Sequence, residues 1–139
     1  MANAIYPLWK DALLNASTES ALTGTGSTGL WAVLVDTGTY TYNAAHQFYS
    51  SLTGVAGSDI EITSVTKSNG TVDGADVTML AVSNGSVNCE AIVLYRKNAG
   101  ANTTWRLVAF LDTGITGLPI TPNGSNITIT WHATGIFTI

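Results

Sequence analysis

Charge is what this sequence has least of: only 10% of its 139 residues are Asp, Glu, Lys or Arg, against about 25% in an average soluble protein. Five basic residues face nine acidic ones, a net charge of −4, and neither sign forms a run. A surface that tracks phosphates needs clustered Lys and Arg, so no nucleic-acid partner is expected. The same scarcity speaks against an anionic membrane surface. Cysteine is scarce too. Cys89 stands alone, which excludes an internal disulfide and a cysteine-rich metal site and leaves a buried, inert thiol as the expectation. Nowhere do the roughly 18 apolar residues of a membrane helix run together. "MANAIYPLWKDALLNAS" also lacks the basic leader and apolar stretch of a signal peptide, so no membrane partner and synthesis in a cytosol are expected. The six Asn-x-Ser/Thr triplets, at Asn15, Asn69, Asn84, Asn102, Asn123 and Asn126, then reflect Asn and Thr content alone.

What keeps the surface wet is Thr, Ser, Asn and Gly, in stretches such as "LTGTGSTG" and "TPNGSNITIT", a mixture that favours strands and turns. The length suits one domain. Ile5, Leu8, Trp9, Ala12 and Leu13 fall at helical spacing, which predicts a short amphipathic helix over 4–15, entered near Pro7. "STESALTGTGSTG" follows as a flexible connector. The expected division is an N-terminal arm over 1–22, a Gly/Thr/Ser linker over 23–29 and a β-body over 30–139. Strands are predicted at "LWAVLVDT", "IEITSVTK", "DVTMLAVS", "VNCEAIVLYRK", "TWRLVAFLDT", "NITITWHA" and "IFTI", with "SNGTVDGA", "SNGS", "KNAGANT" and "TPNGSN" as turns between them. "NAAHQFYSSL", residues 43–52, reads as one or two helical turns or none. Short strands at this spacing predict an all-β fold, a single-domain antiparallel sandwich of jelly-roll type.

Several stretches resemble chemistry. Asp-Thr-Gly, the tripeptide of aspartic proteases, occurs at Asp36 and again at Asp112. A protease dyad needs two carboxylates sharing one proton. The chain between the two motifs is shorter than a lobe of the two-lobed enzymes, and the apolar-apolar-Gly segment before a helix, which the short dimeric enzymes need, is missing after Asp36. Each motif is therefore expected to be a turn in which Asp accepts hydrogen bonds and Gly38 or Gly114 supplies a positive φ; no catalytic residue is assigned. "GTGSTG", residues 24–29, spells a dinucleotide pattern, but a helix precedes it and a strand follows, the reverse of what pyrophosphate binding needs. Aligning "NGTVDGADVTML", residues 69–80, with a calcium loop leaves Leu80 where a bidentate Glu is required. A hairpin is expected there, with Asp73 and Asp76 as the residues a weak cation site would use; neither a metal nor a cofactor is assigned. His46 and His132 have no second ligand at metal spacing. Trp9, Trp31, Trp105 and Trp131, with Tyr40, Tyr42, Tyr49 and Tyr95, would suit either a sandwich core or a sugar-binding platform.

Four stretches, in order and covering most of the chain, resemble a family of small structural proteins of tailed bacteriophages: "MANAIYPLWKDALL", "VLVDTGTYTYNAAHQFYSSLTGV", "GTVDGADVTMLAVSNGSVNCEAIVLYRK" and "RLVAFLDTGITGLPITPNGSNITITWHATGIFTI". The family's "LVDTGTYT" and "H-x-F" elements are matched by Asp36, Tyr40, His46 and Phe48. Its tail motif is matched by Thr121, Pro122, Asn123, Gly124, Ile127, Ile129, Trp131, Ala133, Gly135, Ile136 and Phe137. Ser125-Asn126 replaces a Gly-Asp pair, and "NAGANTT" is a polar insertion after Tyr95. The resemblance implies a capsid decoration or cement protein on the outer surface of the virion, with the major capsid protein and neighbouring copies of itself, as a dimer or trimer, for partners. Ile5, Tyr6, Leu8 and Trp9 are then the expected contacts of a detachable arm. The alternative is a tail-associated receptor- or carbohydrate-binding module.

Overall fold

The computed structural model describes residues 3–83 and 87–139 as a mostly β protein with antiparallel sheets and one short helix. A five-stranded sheet, in the order β1-β8-β7-β2-β3, is built from β1 (Ala4–Ile5), β2 (Leu30–Val35), β3 (Val55–Glu61), β7 (Ala91–Arg96) and β8 (Arg106–Leu111). A three-stranded sheet sets β5 (Thr71–Asp73) between β10 (Phe137–Thr138) and β4 (Thr66–Ser68), and β6 (Val77–Met79) pairs with β9 (Ile127–Ile129). Helix α1 spans Pro7–Leu14.

The apolar runs "LWAVLV" and "AIVLYR" become the central strands β2 and β7, and every residue of β7 is buried. The pairing runs from Leu30↔Arg96 to Val35↔Ala91. "IEITSVTK" is not one strand: the chain leaves β3 at Glu61, passes Ser64 at φ 54°, and enters β4 in the smaller sheet. "SNGTVDGA" is not only a turn. Asn69 and Gly70 take positive φ values of 51° and 77° between the paired residues Ser68 and Thr71, as a two-residue hairpin with right-twisted strands requires, and the strand β5 follows within the same stretch. In 43–52 a single 3-10 turn forms at Tyr49–Ser51.

The expected arm is part of the body. β1 pairs with the outer edge of β8, Ala4 with Phe110 and Ile5 with Ala109, and Tyr6 N–H donates to Val108 O at 3.0 Å. Farther along that edge Leu107 N–H donates to Gln47 O and Tyr49 N–H to Trp105 O, so the strand is covered on its open side. Pro7 opens α1 at a position whose N–H has no helical partner in any case, and α1 lays Trp9 and Ala12 on the core. The expected linker is pinned as well. Gly26 N–H donates to Glu61 Oε1 at 2.5 Å, Trp31 Nε1 donates to Gly26 O at 2.7 Å, and Lys97 N–H donates to Gly29 O at 3.0 Å.

Candidate interaction surface

The two Asp-Thr-Gly turns end β2 and β8, which lie on either side of β7. With neighbouring strands about 4.8 Å apart, the backbones of Asp36 and Asp112 are separated by roughly 10 Å, with β7 between them. The Asp36 carboxylate serves its own turn, accepting from Gly38 N at 2.8 Å and Thr39 Oγ1 at 2.6 Å. Gly38 does not occupy the left-handed region, which corrects the expectation for this turn; glycine fits there because a Cβ would stand 3.0 Å from Asp36 Oδ1. Gly114 does take a positive φ, 71°. The second turn is capped from a distance: Asn3 Oδ1 accepts from the N–H groups of Asp112 and Thr113 at 2.8 and 3.0 Å. Asn3 carries no motif, and its cap exists only because β1 docks on β8.

A buried hydrogen-bond chain ties this region together. The Tyr6 and Tyr40 hydroxyls are 2.7 Å apart, and Tyr40 Oη lies 3.1 Å from His46 Nδ1. Tyr42 packs on Tyr6 and Phe110, while Phe48 bridges to Arg106. Of the motif residues, Tyr40 thus fastens the N-terminal segment with His46 behind it, while Asp36 holds its own turn and Phe48 sits against β8. Of the expected contact residues, Tyr6 and Trp9 are buried in the chain's own core, and Ile5 and Leu8 are half-buried. Trp9 meets Phe137 edge to face at 5.8 Å and donates Nε1–H to Ser20 O. In this structure Ile5 and Tyr6 lie along the chain's own β8 edge and Trp9 meets Phe137.

Trp31, Trp105, Tyr95 and Tyr49 cluster around Lys97. Its ammonium lies 3.9 Å from the Trp31 ring and 4.5 Å from the Trp105 ring, and it pairs with Asp59 at 3.0 Å. Tyr95 stacks on Trp105 and donates its hydroxyl to Asp59, with Tyr49 against both rings. The indole N–H groups of Trp9, Trp31, Trp105 and Trp131 all donate to backbone carbonyls of the chain. A sugar platform needs an open ring face, and Lys97 and Tyr95 take up faces of Trp31 and Trp105.

Burial pushes the hydroxyls of Tyr6, Tyr40, Tyr42, Tyr49 and Tyr95 above the ordinary tyrosine range; the Tyr40 hydrogen bond adds to this at Tyr6, as does the Asp59 hydrogen bond at Tyr95. These are the only five tyrosines. The folded state therefore holds their protons more tightly than the unfolded chain does. Stability is full below the unfolded tyrosine pKa of about 10 and falls as pH rises past it. In an alkaline titration, phenolate absorbance is expected to appear in one step together with loss of near-UV circular dichroism. Gradual ionisation with the dichroism intact would contradict this packing.

Asp73 belongs to β5, and Asp76 accepts from Trp131 N–H at 2.9 Å; among the described residues no three His, Cys, Asp or Glu side chains converge as a metal site would need. His132 bonds locally to Thr134, and Cys89 is buried. No helix among these residues is long and apolar enough to cross a membrane. Among the described residues the large apolar side chains that stand outward are Leu14, 86% exposed, and Leu80, 71%, with Ile139, Val87 and Val55 exposed to a lesser degree. At α1 lies a notch of about 220 Å³ walled by Trp9, Leu13, Leu22, Lys67, Val72 and Ile139, Leu13 being the residue before Leu14. Sequence reasoning missed Leu14 and Leu80, because helical and strand periodicity assign apolar residues inward. The tripeptide at Asn84 lies outside the described residues. Protein-family models, curated proteins and solved structures contain no match to this chain.

Proposed function

We propose that the protein is a structural component of a tailed-phage virion that binds the outer capsid surface and cements neighbouring major capsid protein subunits, without catalytic chemistry. The jelly-roll sandwich belongs to the same proposal, with the three sheets as its layers. The observation that carries it is a nearly uncharged surface from which single large apolar side chains project, Leu14 and Leu80 foremost. Burying one leucine against a partner yields about 1.5–3 kcal/mol, little for one contact and much when repeated over a lattice. A protein that binds assembled shells and not free subunits stabilises the shell by mass action. The aromatic faces covered within the Lys97 cluster make the carbohydrate-binding module the weaker reading.

Co-sedimentation with expanded heads stripped of the protein, with free tails as control, tests this. Saturable head binding at a fixed ratio to the major capsid protein is expected, and Leu80→Asp is expected to weaken it about tenfold or more with the melting temperature unchanged. Binding to tails alone, or to neither particle, would refute the proposal and direct attention to a glycan screen.

A further inference from the structure

The outer face of α1 is built as a knob next to a hole. Leu14 projects at 86% exposure, and Asp11, one turn earlier, shares its face. The adjoining notch has an apolar floor of Trp9, Leu13, Leu22 and Val72, with Lys67 on its rim. Lys67 Nζ donates to Leu22 O at 2.7 Å, and among the described residues neither Lys67 nor Asp11 has an ion-pair partner. The knob therefore carries an apolar tip and a negative flank. The hole offers an apolar floor and a positive rim. Leu13 in the wall of the notch and Leu14 at the knob are consecutive in α1, so both features are within reach of one partner when two copies meet about a two-fold axis, and the notch volume of about 220 Å³ accommodates a leucine side chain.

We propose that two copies of this chain associate through α1, Leu14 of each entering the notch of the other and Asp11 of each meeting Lys67 across the seam. The occupant is a second copy because charge and shape match in both directions. The patch is small, which makes the association weak in isolation and effective where copies are held close together. The inference does not depend on the capsid reading, since the purified chain alone suffices to test it.

Sedimentation equilibrium of the full chain up to about 1 mM is expected to show reversible dimers. Leu14→Asp removes two buried leucines per dimer and is expected to raise the dissociation constant on the order of a hundredfold. Asp11→Lys and Lys67→Asp are each expected to weaken the dimer, and their combination in one chain to restore it. Circular dichroism and melting curves check that each variant folds. A wild-type chain that stays monomeric throughout would overturn the inference. So would a Leu14→Asp dimer as tight as wild type, or a charge-reversed pair no tighter than its single variants. A monomeric wild type whose Leu14→Asp variant loses head binding would also overturn it, and would give the notch to a capsid subunit instead.

Discussion

Removal of residues 1–16 is expected to leave a chain that does not fold. The segment supplies the buried side chains of Tyr6, Trp9 and Ala12, the two ladder residues that cover β8, and the Asn3 cap on the turn at Asp112. Losing one large buried aromatic side chain typically costs about 3–5 kcal/mol. Two are lost here, and Tyr40 is left with a buried hydroxyl facing the vacated space, against a total stability of about 5–15 kcal/mol for a domain. Circular dichroism and a thermal melt decide it. A cooperative melt close to that of the full chain would show the segment to be an appendage after all.

Asp36→Ala is expected to cost about 1–3 kcal/mol, because it strips two acceptors from the turn that follows β2 and leaves the exposed donors of Gly38 and Thr39 to water. Asp36→Asn keeps an oxygen for Gly38 N–H and is expected to cost about 1 kcal/mol. Urea unfolding of both variants measures the difference. Equal costs for the two would mean that the negative charge, and not the geometry of acceptance, is what the turn needs.

The central strands were legible because burial on both faces writes itself into sequence as an unbroken apolar run, as in "LWAVLV" and "AIVLYR". The Asn69-Gly70 turn was legible because few residue pairs tolerate two positive φ angles. The N-terminal segment was not. An amphipathic stretch followed by Ser, Thr and Gly reads the same whether its apolar face meets a partner or its own body, and the matching surface, β8 and Phe137, lies about a hundred residues away in the chain. "GTGSTG" reads as flexible, yet a Cβ on Gly24 would stand 2.1 Å from Thr28 O, so this glycine permits a close approach of backbone to backbone. Leu14 and Leu80 became candidates only once the fold showed which apolar residues it leaves outside.

Hydrogen exchange of the protein, free and bound to expanded heads, tests the central claim most directly. If the protein docks as an intact body through outward apolar side chains, residues 3–9 are expected to be equally protected in both states, with new protection around Leu80. New protection confined to residues 3–9, or no difference between the two samples, would contradict it.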